Sequence, residues 1–179
     1  LSSDYPAVND AEKEELVKIA NNIAKAFHLD NCPLLVQLIN ENGVLNVLEF
    51  SARMGGGSKY HLIKVLSGVD IMTKYVDRIL GDFPSVSPSK QVEYSKMVYI
   101  YCTPGTLDRV AGLEELKQEG VIDSYFLYKT SGMQIHGSET SGDRPAGYLV
   151  TAKTAEELQS KLNYADSHIA VISDSGKDI

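Results

Sequence analysis

The chain has 179 residues, 43% hydrophobic and 23% charged, which is ordinary globular composition. Its net charge of −7 argues against a general nucleic-acid or anionic-membrane surface, yet a few cations and backbone N–H groups could still form a local phosphate site. No apolar run approaches the roughly 18 residues of a membrane span, and no charged-then-apolar leader is present. The two cysteines, Cys32 and Cys102, are far apart and read as free thiols of a reducing compartment. A cytoplasmic location is expected, with neither nucleic acid nor membrane as a partner.

The opening LSSDYPAV lacks a Met, as a fragment of a longer protein would. Residues 1–9 read as an extended lead in which Pro6 biases Tyr5 away from helix. Asn9 or Asp10 offers an N-cap, acids follow in the first turn, and Leu16, Ile19, Ala20, Ile23, Ala24 and Phe27 recur at helical spacing. A helix to near His28 is expected. Residues 34–39 and 45–50 are strand candidates around the turn signal Asn42-Gly43. A two-residue type I′ turn would pair Glu41 with Val44 and send Gln37 and Glu49 to opposite faces. A three-residue loop, Glu41-Asn42-Gly43, puts them on one face. A site shared by Gln37 and Glu49 requires the second arrangement, and that is the expected turn.

Residues 60–66 read as a short helix and 70–80 as another, capped by Asp70 and closed by Gly81. The Pro- and Ser-rich stretch 84–91 reads as a linker between domains 1–83 and 92–179. In the second domain, residues 97–102, 125–129, 147–152 and 168–172 read as strands. Residues 107–116 read as a helical segment weakened at Gly112, and Thr154 with Glu157 suggests a capping box opening a helix over 155–164. The fold class expected is α+β, with antiparallel strands and packed helices followed by a small α+β domain.

The site signal is concentrated between Glu49 and Gly57. Glu49 interrupts an apolar strand, where a lone buried acid would be costly. Glu49, Ser51 and Arg53 alternate along one strand end, so all three side chains are expected on the same face. The glycines Gly55, Gly56 and Gly57 are expensive in conformational entropy and mark backbone that lies close to something. A carboxylate with a side-chain oxygen from Gln37 or Ser51 is a hard-oxygen set suited to Mg²⁺, and Arg53 offers a planar fork to phosphate. The plainer alternative is an ordinary surface ion pair between Glu49 and Arg53.

Glu49-Phe50-Ser51-Ala52-Arg53 resembles the Glu-x-Asn-x-Arg strand end of ATP-grasp ligases, a superfamily that includes the carbamoyl-phosphate synthetase large subunit and biotin carboxylase. Gln37 stands where the preceding strand supplies a further metal ligand, and Ser51 stands where the usual residue is Asn. The stretch from Ser67-Gly68-Val69-Asp70 to Gly81 is similar to the family's T-G-V-D segment. Pro104-Gly105, Gly132 and Arg144 to Gly147 more loosely resemble the C-terminal domain of amino-acid-ligating members. The resemblance implies that residues 1–83 are the C-terminal half of an ATP-grasp domain. It also implies Glu49, Gln37 and Ser51 as Mg²⁺ ligands, Arg53 as the catalytic phosphate contact, and Arg53, Gly55, Gly56 and Gly57 as the nucleotide-binding set. ATP, Mg²⁺, a small carboxylate and an amine-type acceptor are the implied cofactors and partners, and a homodimer is left open. Regions that complete the nucleotide pocket in that family have no counterpart here, so the chain alone is expected to be inactive. The rival from another class is a non-catalytic binding or dimerisation module in which Glu49 and Arg53 form a structural pair.

Other combinations carry less. His61 after the triglycine reads as a helix-surface residue and His136 as a solvated loop residue. Ser138, Ser141, Asp143 and His136 lack the G-x-S-x-G context of a hydrolase nucleophile. The run from Gly55 to Lys59 lacks the spacing of a Walker A loop.

Overall fold

The computed structural model describes residues 2–138 and 140–179. In chain order the first elements are β1 (Ser2–Tyr5), α1 (Asp10–Ala26), β2 (Leu35–Glu41), β3 (Val44–Ser51), α2 (Lys59–Ser67) and α3 (Ile71–Ile79). There follow β4 (Tyr94–Ile100), β5 (Gly105–Ala111), α4 (Leu113–Gln118), β6 (Ser124–Leu127), β7 (Gln134–Ile135), β8 (Ala146–Ala152), α5 (Ala155–His168) and β9 (Ala170–Ser173). The chain divides into two compact units, one of Pro6–Gln91 and one of Val92–Ile179 with β1. Among the described residues no helix is long and apolar enough to cross a membrane.

In the Pro6–Gln91 unit, α1 starts where the sequence says it should. Asn9 accepts from the Glu12 N–H at 3.0 Å while Glu12 Oε2 accepts from the Asn9 N–H at 2.9 Å, a complete capping box. The helix ends as His28 enters the left-handed region at φ 53°. Two contacts fasten it to the hairpin: Asn40 Nδ2 donates to Glu12 Oε1 at 2.6 Å, and the Phe27 and Phe50 rings lie 4.7 Å apart. Asp70 caps α3 by accepting from the Thr73 N–H and is held by Lys64, which together keep its carboxyl below its usual range. This unit buries little in this chain. Among its described residues only Pro33 and Leu62 are buried. Ile39, Val44, Val47 and Leu48 on the hairpin and Val76, Ile79 and Leu80 on and after α3 remain exposed. On α3, Ile71 and Tyr75 are half-buried, whereas Val76 and Ile79 face solvent.

The other unit has a conventional core. Its antiparallel sheet has the order β1-β4-β8-β6, and a smaller sheet has the order β7-β5-β9. β8 is central and buried along nearly its whole length, with only Thr151 less than fully buried. Tyr148 and Val150 of β8 pack with Leu113 and Leu116 of α4 and Leu162 and Ala165 of α5. Each large apolar side chain buried there contributes about 1.5–3 kcal/mol.

Three sequence expectations change here. Residues 2–5 pair with β4 through Ser2↔Val98 to Tyr5↔Ser95, so the extended lead belongs to the second unit's sheet and not with residues 6–83. Residues 107–116 are not one helix: strand β5 turns at Gly112 into the short α4. Gly112 sits at φ 87°, and a Cβ built there would lie 1.9 Å from the His168 carbonyl oxygen, so the chain can make this corner only without a side chain. Thr154 accepts from the Glu157 N–H at 3.1 Å, but the Glu157 carboxylate accepts from the Lys153 N–H, one residue before the N-cap, so the capping box is not closed.

Candidate functional site

The hairpin turn is the two-residue type. Glu41 faces Val44, Asn42 and Gly43 take φ of 54° and 87°, and Asn40 Oδ1 accepts from the Gly43 N–H at 2.9 Å. The expected three-residue loop is not formed, because Asn-Gly satisfies the left-handed pair of a type I′ turn so well. Gln37 and Glu49 nevertheless face each other directly. The ladder runs Glu41↔Val44 to Leu38↔Val47 and then resumes at Gln37↔Glu49, leaving Leu48 as one extra residue in β3. This β-bulge shifts the register by one and brings Glu49 to the face that a regular ladder would have denied it.

Ser51 lies two residues beyond Glu49 and opposite Leu35, so Gln37, Glu49 and Ser51 share one face of the ribbon. Directly opposed residues in an antiparallel pair have Cβ atoms about 4.5–5.5 Å apart, within reach of a common ion. Glu49 and Gln37 are exposed and Ser51 is half-buried. The buried acid that the apolar run suggested is therefore an accessible one.

Arg53 is placed differently from its strand-like spacing. β3 ends at Ser51, and the Arg53 N–H donates back to the Ser51 carbonyl at 2.8 Å, which turns the chain out of the strand. Its Nη1 donates to the Met54 carbonyl at 2.9 Å. Among the described residues Glu49 and Arg53 form no ion pair. The glycines follow at once. A Cβ on Gly55 would press Lys59 Cδ at 3.3 Å and Leu35 Cδ1 at 3.5 Å, whereas Gly56 has open space around it. Gly57 and Ser58, at φ 67° and 60°, hand the chain into α2. His61, in the first turn of α2, is half-buried with its ring 4.2 Å from that of Tyr60.

The donor set suits a hard cation that arrives with other oxygens. One carboxylate, one amide oxygen and one hydroxyl on an open face leave several positions for water and phosphate, as Mg²⁺ prefers. Among the described residues no group of three His, Cys, Asp or Glu is gathered, so an all-protein cage is absent there.

The Val92–Ile179 unit contains a second polar constellation, which the sequence signalled only through the loose Arg144 to Gly147 match. Arg144 Nε donates to the Tyr101 hydroxyl at 2.6 Å, and its guanidinium lies 4.2 Å from the centre of the Tyr99 ring. On the other face of the sheet, the buried Tyr148 donates to Asp166 Oδ1 at 2.9 Å. Burial and then the Asp166 carboxylate push its phenol far above the usual range. Asp143 accepts from Thr140 Oγ1 at 2.7 Å and from the His136 N–H at 3.2 Å, which keeps its carboxyl below 3.8. It therefore fastens a loop through backbone and hydroxyl and has no catalytic-triad geometry with the His136 ring.

Residues 98–173 match the family described as L-amino acid ligase C-terminal domain 2. The L-amino acid ligase of Bacillus licheniformis superposes with a TM-score of 0.80 at 21% identity, covering 97% of this chain and 44% of that one. Phosphoribosylglycinamide synthetase of Anaerococcus prevotii superposes with a TM-score of 0.78 at 20% identity, covering 97% of this chain and 45% of that one. The fold is that of a partial ATP-grasp domain. The biotin carboxylase domain of Hydrogenobacter thermophilus 2-oxoglutarate carboxylase, solved with MgADP and bicarbonate, shares this ATP-grasp fold at a TM-score of 0.71 and 16% identity, covering 96% of this chain and 39% of that one. The chain thus spans less than half the length of each of these ATP-grasp structures. No curated protein sequence matches it.

Proposed function

We propose that this chain is the C-terminal portion of an ATP-dependent ligase that joins a carboxylate to an amine-type acceptor. The observation that carries the reading is the bulged register that sets Gln37 against Glu49, with Ser51 on the same face, at the strand end where the family resemblance calls for metal ligands. Glu49 supplies the anionic oxygen, while Gln37 and Ser51 supply neutral ones. When bound there with nucleotide, Mg²⁺ would screen the repulsion between the phosphates and the incoming carboxylate. Arg53 would exchange its bond to the Met54 carbonyl for phosphate oxygens and stabilise charge that spreads on the transferring group. In the reaction the γ-phosphoryl group passes to a carboxylate oxygen and ADP leaves. The amine then attacks the acyl carbon and inorganic phosphate leaves.

The exposed apolar hairpin residues Ile39, Val47 and Leu48 are surfaces that further parts of an ATP-grasp module would cover. In this reading the chain alone does not turn over. The rival, a structural Glu49–Arg53 pair in a non-catalytic module, loses its contact because that pair is not made among the described residues. ADP formation by the complete protein, supplied with a panel of carboxylates and amines, tests the proposal. Glu49→Gln is expected to reduce turnover by about 100-fold or more while the protein stays folded. Unchanged turnover in that variant would remove Glu49 from the site.

A further inference from the structure

The Pro6–Gln91 unit contains a cavity of about 390 Å³ away from the Gln37–Glu49 face. None of Gln37, Glu49, Ser51, Arg53 or the three glycines lines it. Its apolar wall comes from Leu34 before β2, Ile63 of α2, Ile71 of α3 and Val86 of the Pro-rich strap. Its cationic groups come from one element, α3, which supplies Lys74 and Arg78 beside Tyr75, while Asn31 and Ser67 add neutral polar groups. No Asp or Glu is among the lining residues, in a chain whose net charge is −7. Arg78 Nε is buried and has no hydrogen-bond partner. A buried donor left unsatisfied is costly, and here it belongs to a cation at the edge of an apolar cavity.

We propose that this cavity binds a small amphipathic carboxylate, with its carboxylate at Arg78 and Lys74 and its apolar body against Leu34, Ile63 and Ile71. The volume lies in the range of small-molecule pockets, and an apolar lining with a few convergent polar groups is their usual construction. A guanidinium and an ammonium with no acid between them select an anion over a neutral molecule of the same shape. The inference does not depend on the ligase reading, because the two sites share no residue.

The two cysteines supply a reporter and its control. Cys32 is half-buried at this cavity, and Cys102 is half-buried in the other unit. In the full chain, alkylation rates at each thiol would be followed by peptide mass spectrometry in the presence of 4-phenylbutanoate or its neutral isostere 4-phenylbutanamide. The acid is expected to slow Cys32 alkylation about tenfold or more and to leave Cys102 unchanged, with the amide needing at least tenfold higher concentration for the same protection. Lys74→Met and Arg78→Met, singly, are expected to erase the preference for the acid. Equal protection by acid and amide in the unaltered chain, or no protection by either, would overturn the proposal without reference to any variant's folding.

Discussion

Gln37 and Glu49 face each other across the β2–β3 ladder although the hairpin turn alone would place them on opposite faces. The extra residue Leu48 reconciles the two, and its side chain is 61% exposed. A bulge absorbs one residue without breaking the flanking pairs, so the strand can keep its preferred Asn-Gly turn and still present Glu49 beside Gln37. Because Leu48 is the unpaired residue, its deletion leaves Glu49 next after Val47 and still opposite Gln37. The deletion variant is therefore expected to keep its fold and the Gln37–Glu49 pairing, readable as cross-strand amide NOEs between residues 37 and 49. Loss of those contacts would show that the bulge is not what sets the register.

Arg53 is expected to act as a fork and not merely as a charge. In the complete protein, Arg53→Ala should lower ADP formation by about 100-fold or more. Arg53→Lys keeps the charge but not the paired donors, and should recover only a small part of that loss. Full activity in Arg53→Lys would mean that simple charge suffices.

The corner at Gly112 gives a stability prediction with an internal control. Gly112→Ala must hold a left-handed conformation and also push against the His168 carbonyl, for a total of about 3 kcal/mol or more. Gly120 has φ 73° but nothing within 4 Å, so Gly120→Ala should cost only about 1 kcal/mol. Urea denaturation of the two variants would separate close approach from backbone conformation.

Asp143 ties its stabilising effect to pH. Its hydrogen bonds from Thr140 and the His136 N–H hold the folded pKa below the usual 3.8. The unfolded chain therefore binds its proton first as pH falls. The contribution of the carboxylate is complete above about pH 4 and is lost as pH drops through the depressed folded value. Asp143→Asn should lower the thermal midpoint at pH 7, and its difference from the unaltered chain should shrink when both are melted near pH 2.5.

What the sequence showed and what it hid follow the range of the forces involved. α1, α2, α3 and α5 are set by caps and by apolar residues three or four apart, which are local, and they lie close to where the pattern puts them. Residues 107–116 read locally as one helical segment, whereas Gly105–Ala111 form strand β5. Its strand character comes from pairing with β9, more than fifty residues on, and from the His168 carbonyl behind Gly112. β1 is likewise defined by β4, a partner no local pattern names. At the candidate site, the residue types were legible from Glu49 to Gly57. Two features were not: the bulge at Leu48 and the turn of the chain at Arg53 arise from ladder geometry and not from residue preference.

The central claim is that the Gln37–Glu49 face holds the metal of a metal–nucleotide complex, and Mg²⁺ dependence tests it most directly. ADP formation by the complete protein would be titrated with Mg²⁺ at fixed ATP for the unaltered enzyme, Gln37→Leu and Glu49→Gln. The account predicts that Gln37→Leu raises the Mg²⁺ concentration for half-maximal turnover about tenfold, a loss of roughly 1.4 kcal/mol, and that Glu49→Gln raises it further and lowers the plateau. Identical Mg²⁺ curves for all three folded proteins would contradict it.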